Sequence, residues 1–307
     1  MKTCYSPRGI YSAQWTFTNA EGRINRAALA HHLAFEKSHG ISGVLALGST
    51  GEFPHFAVDE RKAVLAAVAE LAAPLALIAN VTDIRPRAAI ELGRTAKSLG
   101  YSAIALMPPI FFPVSQADML AYFLHVADAV DLPVMLYNFP ELTGKRIDLT
   151  TVSAFAERAP MCAIKQSGGE FVYHGDLIAL GREKDFVVIS GADTRLPEVF
   201  RLGAAGCIGG LVNIVPELMV LIDRVCRQGQ AGDAATAGGV MTALGPIIDQ
   251  LTVPLNVASG LEARGFEPGT PKAIVSPESR MIYTKVVSEL RALFIRHHVA
   301  PAPGLVA

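Results

Sequence analysis

The chain has no cysteine or histidine spacing that would cage a metal. Its four cysteines, Cys4, Cys162, Cys207 and Cys226, form no CxxC pair, and two of them lie in apolar, strand-like runs where a thiol behaves as a small hydrophobe. They are read as reduced and structural, and no metal is expected. Charge is also scarce, with 18% Asp, Glu, Lys and Arg and a formal net charge of -1. Without a basic cluster or aromatic–basic interleaving, nucleic acid and polyanions are not expected partners. No apolar run reaches the roughly 20 residues that span a bilayer, and Met1 to Tyr5 carries no signal-peptide core. The expectation is a cytoplasmic protein that acts on a small molecule, away from membranes. His31-His32 and His297-His298 fall on helical stretches, the second pair near the end of the last helix where the dipole favours it. No GxGxxG follows the first strand and no P-loop occurs, which argues against an open, doubly wound nucleotide-binding sheet.

What is present is a large apolar fraction, 51% of 307 residues, arranged as a repeat. A short β-like segment, a Gly/Pro/Ser/Asn turn and an amphipathic helical stretch recur about eight times. The expected strands are Ile10–Phe17, Gly43–Leu47, Leu75–Val81, Ala103–Met107, Val134–Asn138, Cys162–Lys165, Phe186–Ser190 and Cys207–Ile208. Between them lie helical stretches such as Arg26–Ser38, Val58–Leu71, Arg87–Leu99, Ala117–Val130, Leu149–Glu157 and Thr194–Leu202, with Asn25, Ser115 and Asp148 suited to capping. This alternation implies a parallel sheet, and eight units imply its closed form, a (β/α)8 TIM barrel. The expected division is a barrel over residues 1–215 and C-terminal helices over 216–307, packed on it as one structural unit. A Gly- and Pro-bearing stretch, Gly265–Pro271, interrupts those helices, and the tail from Pro301 to Gly304 is expected to fray.

Lys165 stands out within this frame. It follows the apolar run Met161-Cys162-Ala163-Ile164 and precedes the turn Gln166-Ser167-Gly168-Gly169, whereas Lys37, Lys62, Lys97 and Lys184 sit in polar or helix-like stretches. A lysine on a core strand has its pKa lowered by desolvation or finds a dedicated partner. The bland reading is a structural lysine paired with a buried carboxylate. Barrel chemistry sits at the C-terminal strand ends, and three other strand ends carry candidates. The second runs into Gly48-Ser49-Thr50-Gly51-Glu52, whose hydroxyls and N–H groups suit a carboxylate or phosphate. The fifth ends in Tyr137-Asn138-Phe139-Pro140, and the seventh in Gly191-Ala192-Asp193. Each also has an ordinary reading, as a Gly-rich turn, a packed tyrosine or a cap. Tyr137 and Lys165 lie one βα unit apart, so neighbouring strands would present an amine beside a phenol. Such a lysine can form a Schiff base with a ketone, and the iminium is an electron sink for making or breaking the adjacent carbon–carbon bond. The phenol can shuttle protons, and Gly48, Ser49 and Thr50 can hold the carboxylate of a 2-keto acid.

The motifs Gly48-Ser49-Thr50-Gly51-Glu52, Tyr137-Asn138-Phe139-Pro140 with Thr143-Gly144, and Ile164-Lys165-Gln166-Ser167-Gly168-Gly169 occur in order. In these the chain resembles the dihydrodipicolinate synthase and N-acetylneuraminate lyase family. The resemblance implies that Lys165 is the Schiff-base lysine, Tyr137 the proton relay and Ser49-Thr50 the carboxylate site. It also implies a homotetramer and, beyond the covalent adduct, no cofactor. Two departures stand against a synthase: Leu142 occupies the place of an arginine that holds the second substrate's carboxylate, and Phe111 that of a tyrosine reaching in from a neighbouring subunit. The segment from Tyr137 to Gly144 looks most like the 2-keto-3-deoxygluconate aldolases, and that from Lys165 to Gly169 leans towards the sialic acid lyases. In those lyases an Asp followed by a Glu binds substrate hydroxyls, but here Asp193 is followed by Thr194. Ser167 and Asp193 remain candidates for a polyhydroxylated tail, with Gly191 beside them.

The leading expectation is an aldolase that reversibly cleaves a 2-keto-3-deoxy sugar acid into pyruvate and an aldehyde. Dihydrodipicolinate synthase or a 2-keto-3-deoxy acid dehydratase would use the same lysine. From other classes come a phosphate-sugar barrel enzyme gripping phosphate at Cys207-Ile208-Gly209-Gly210, and a non-catalytic keto-acid-binding protein.

Overall fold

Eight strands, β1 Gly9–Ala13, β2 Gly43–Ala46, β3 Ala76–Asn80, β4 Ala103–Leu106, β5 Val134–Asn138, β6 Met161–Gln166, β7 Val187–Ser190 and β8 Gly206–Gly209, pair in chain order. All pairs are parallel, and β8 returns to β1 with Gly9 opposite Gly206 to close the barrel. The computed structural model that shows this describes residues 5–229 and 231–304, so Cys4 lies outside the described residues. Every residue of β2 and β4 is buried, the pattern of strands covered on both faces. The helices are α1 Arg26–Ser38, α2 Val58–Ala72, α3 Pro86–Ser98, α4 Gln116–Val130, the single turn α5 Pro140–Thr143, α6 Leu149–Arg158, α7 Phe171–Lys184, α8 Leu196–Leu202, α9 Pro216–Gln228, α10 Ala231–Ile248, α11 Leu255–Ala263 and α12 Pro277–Arg296. The (β/α)8 barrel with a C-terminal helical extension is therefore as the periodicity implied.

Asn25 and Ser115 cap as expected, accepting from the N–H groups of Ala28 and Asp118. Asp148 stands at the start of α6 but makes no capping bond; its carboxylate faces the Arg146 guanidinium at 3.6 Å. β1 is shorter than the apolar run Ile10–Phe17, because the segment beyond Ala13 turns its polar groups to other partners. Trp15 N–H donates to Asn213 Oδ1 at 2.9 Å and Thr16 Oγ1 to the Gly51 carbonyl at 2.9 Å. The helix α7 fills the sixth unit of the repeat although Gly175 and Gly181 within it lower its local propensity. The tail is tied down, since Ala302 N–H donates to the Arg264 carbonyl at 2.8 Å.

The stretch after α11, read from sequence as an interruption, is a strap over the site end of the barrel. Trp15 Nε1 donates to the Pro268 carbonyl and Thr18 Oγ1 to that of Thr270, each at 2.8 Å. Lys272 N–H donates to the buried Glu52 carboxylate at 3.1 Å, so the extension holds the far end of the loop after β2.

Beneath that strap α1 is fixed to the barrel by a buried polar cluster. His32 Nε2 donates to the Asn213 carbonyl at 2.9 Å, which leaves Nδ1 to accept from Gln14 Nε2 at 3.1 Å. Glu36 Oε2 lies 3.7 Å from Nδ1, yet this is no ion pair. Burial pushes the Glu36 carboxyl up to about 8 and the His32 imidazole down to about 4, so both are neutral at neutral pH. Because the folded state keeps the Glu36 proton between its ordinary 4.5 and about 8 while the unfolded chain has released it, this group takes away stability as pH rises through that window. The depressed His32 acts oppositely, its contribution lost as pH falls from 6.5 towards 4, so above 6.5 Glu36 acts without that opposition. Glu36→Gln is expected to flatten the fall in stability between pH 6.5 and 8.5. Urea unfolding of both proteins at the two pH values measures this, and an unchanged pH dependence would refute it.

Candidate active site

The register of β5 and β6 places Tyr137 opposite Lys165. Registered residues on parallel strands project to the same face, and here that face is the barrel interior at its C-terminal end, where barrel sites form. Lys165 Nζ donates to Tyr137 Oη at 3.0 Å and lies 4.1 Å from the ring centroid. Tyr137 Oη is in turn 3.3 Å from Ser49 Oγ. Lys165 is 4% exposed and Tyr137 2%, so amine and phenol are both buried. The partner expected for a core-strand lysine is thus a phenol, and among the described residues no carboxylate hydrogen-bonds to it or lies within ion-pair distance. Asn138 and Gln166 lock the two strand ends together: Asn138 Nδ2 donates to Gln166 Oε1 at 2.6 Å, and Asn138 Oδ1 accepts from Ile147 N–H at 3.0 Å.

The loop after β2 folds back on itself, with Gly51 N–H donating to the Gly48 carbonyl and Glu52 N–H to that of Ser49. This turns Ser49 and the buried Thr50 towards Lys165. Gly51 itself packs so tightly that a Cβ there would stand 3.0 Å from the Gln14 carbonyl. After β7, Gly191 leaves room for the lysine: a Cβ at that position would lie 3.2 Å from Lys165 Cε and collide with Ser167 Oγ. Asp193 stands over the end of β8, where a Cβ on Gly209 would meet its carboxylate at 2.7 Å. Burial raises its pKa, while the Leu211 N–H and the positive Lys165 pull it back down. Its Oδ2 accepts from Leu211 N–H at 2.7 Å. The Gly-rich end of β8 is therefore filled by a carboxylate from within the chain, which repels a phosphate from the grip considered for it.

Ser49, Thr50, Tyr137, Lys165, Ser167, Gly191 and Asp193 all line one cavity of about 630 Å³. Gly48 does not. Its Cα points at Leu45, 3.3 Å from where a Cβ would stand, so it shapes the turn and is not part of the cavity wall. The sequence reading missed Phe139, Glu141 and Phe171 on one wall and Arg195, Asp249 and Asn256 on others. Glu141 lies inside a motif already singled out, where a carboxylate between a proline and a leucine is the available signal. Asp249 and Asn256 come from the ends of α10 and α11 and carry no local signal. Among the described residues no cluster of His, Cys, Asp and Glu could hold a metal ion, and no helix is long and apolar enough to cross a membrane.

A closed parallel barrel with a buried amine against a phenol at adjoining strand ends defines a barrel enzyme equipped for carbonyl chemistry. The sequence profile described as the Dihydrodipicolinate synthetase family matches residues 6–293, and the chain belongs to that family. Its members are lyases of the aldolase and synthase type that work through a lysine–pyruvate Schiff base without an external cofactor. A 4-hydroxy-tetrahydrodipicolinate synthase of Methanosarcina barkeri is 28% identical over 288 residues, 93% of this chain and 98% of the relative. Among solved structures, YagE, a prophage protein of E. coli K12 in complex with pyruvate, superposes with a TM-score of 0.85 at 27% identity, covering 93% of this chain and 98% of that one. A chloride-inhibited dihydrodipicolinate synthase from Acinetobacter baumannii, complexed with pyruvate, gives a TM-score of 0.86 at 26% identity, covering 95% and 99%.

Proposed function

We propose that this protein is a class I aldolase that reversibly cleaves a 2-keto-3-deoxy sugar acid into pyruvate and an aldehyde. The observation that carries the reading is the Tyr137–Lys165 pair, in register and 3.0 Å apart in a buried pocket. Lys165 Nζ attacks the ketone carbon of the keto acid, and loss of water gives the iminium. Electrons of the adjoining C3–C4 bond flow into this sink as that bond breaks, releasing the aldehyde and leaving an enamine whose protonation and hydrolysis free pyruvate. Tyr137 Oη carries protons to and from the carbinolamine and the aldol oxygen, with Ser49 Oγ next in line at 3.3 Å. Ser49 and Thr50 hold the keto-acid carboxylate at the cavity wall, and Ser167, Gly191 and Asp193 border the space for the rest of the substrate.

A synthase reading is favoured by the names of curated relatives. Against it, Leu142 is 52% exposed and does not line the cavity, so nothing at that position binds a second carboxylate. A dehydratase would use the same iminium to expel a hydroxyl. A homotetramer is part of this reading through the family resemblance, and the Phe111–Phe112 pair, 84% and 64% exposed with rings edge to face at 4.9 Å, is an apolar tip suited to contact with a neighbouring copy. A cytoplasmic location accords with the absence of a membrane-crossing helix among the described residues.

Borohydride reduction with pyruvate, followed by peptide mass mapping, is expected to place a pyruvyl adduct on Lys165. No adduct under conditions that label a working aldolase would sink the Schiff-base reading. Product analysis then separates the outcomes, because free pyruvate marks the aldolase and a 2-keto acid of unchanged carbon number marks the dehydratase.

A further inference from the structure

The lining of the cavity that holds Lys165 is unevenly charged. Glu141, Asp193 and Asp249 belong to it, and the one cation among the lining residues besides Lys165 is Arg195. Arg195 is already engaged: its guanidinium lies 3.8 Å over the Phe171 ring and is paired with Glu198 through both Nε and Nη2. Of the three carboxylates, Asp193 gives one oxygen to Leu211 N–H. Glu141 is held differently. It rises from the single turn α5 immediately after the Tyr137 motif, and its Oε1 accepts from Gly169 N–H at 3.1 Å, bridging the loops after β5 and β6. Gly168, at φ 91°, leaves space for it, since a Cβ there would collide with both carboxylate oxygens. The charge of Glu141 is thus pinned at the cavity wall by backbone, with its second oxygen free to accept from a substrate hydroxyl. No arginine or lysine offsets it in the hydrogen bonds or ion pairs among the described residues.

We infer that Glu141 is a specificity-determining residue that selects neutral, polyhydroxylated aldehydes and rejects aldehydes bearing a carboxylate. This rests on the aldolase reading. Glu141 is exposed to solvent, so a carboxylate brought beside it meets like charge at the effective dielectric of a protein surface, still enough to reject a wrong partner. A hydroxyl in the same place donates to Glu141.

The test uses the full chain with pyruvate and a pair of three-carbon aldehydes that differ in one group, glyceraldehyde and its terminal-carboxylate counterpart tartronate semialdehyde. Borohydride trapping of pyruvate on the wild-type protein comes first; no adduct would overturn the aldolase reading and this inference with it. With the adduct present, wild-type kcat/KM is expected to favour glyceraldehyde by at least about tenfold, and Glu141→Gln to narrow that ratio by about tenfold. Gln retains an oxygen for Gly169 N–H, so this variant changes charge and keeps the loop bridge. Glu170→Gln, which removes a charge facing Arg146 outside the cavity, is expected to leave the ratio where it was. A wild-type preference for the acidic aldehyde, or a ratio unaltered by Glu141→Gln, would overturn the inference.

Discussion

Lys165→Ala is expected to lower aldol turnover by about 10⁴-fold or more, the scale on which loss of a covalent nucleophile acts in other enzymes, and to abolish pyruvate trapping. The size follows from what is removed. Without the iminium there is no electron sink next to the breaking bond, and among the described residues Lys165 is the one lysine lining the cavity, so none of them offers a second amine. The fold should survive, because the Lys165 side chain borders an existing cavity, so Ala enlarges that cavity and opens no new void in the packed core, and Tyr137 Oη keeps its contact with Ser49. Steady-state cleavage assays with the mass-mapped adduct measure both effects. Turnover within tenfold of wild type, in a protein that still unfolds cooperatively, would show that the chemistry lies elsewhere.

Tyr137→Phe is expected to reduce kcat by about 10²- to 10³-fold, the usual worth of a positioned acid–base group, with a smaller change in KM. Phe keeps the ring that packs beside Lys165 Nζ at 4.1 Å and stacks on Phe139. Only the hydroxyl that joins Lys165 to Ser49 is lost. The amine then remains in place, and pyruvate is still trapped, but each proton transfer must wait for solvent. Rapid-quench trapping separates the steps: slow adduct formation with near-normal yield is the expected result. Wild-type trapping rates with unchanged kcat would remove Tyr137 from the relay. Such an outcome would leave Ser49 without a proton-carrying role, since its contact with the lysine runs through the phenol.

Much of this site was legible from the chain because its strongest signals are local. A lysine after four apolar residues has few places to go except a core strand, and its following glycines mark the strand's end. The eightfold alternation gave the barrel, and the barrel gave the rim on which strand ends meet. Gly48 shows where local reading overreached: it belongs to the right loop, but the turn that presents Ser49 and Thr50 points it towards Leu45. Asp148 is a similar case, since a residue suited to capping finds a cation nearby and leaves the helix N–H groups alone. Gly175 and Gly181 weaken α7 in isolation, and close packing explains the second: a Cβ there would stand 2.6 Å from the Phe186 carbonyl.

The sequence by itself determined the barrel, the buried position of Lys165 and its neighbouring phenol, because periodicity encodes which residues leave water and strand order encodes which ends adjoin. Tertiary structure alone decided the register that sets Tyr137 against Lys165, the strap from Phe266 to Lys272 that grips Glu52, and the gathering of Glu141, Asp193 and Asp249 around one cavity. The physical reason is distance along the chain. Residues from Ser49 to Val257 line one cavity, and contacts between positions so far apart are set by closure of the whole barrel, which no local pattern records.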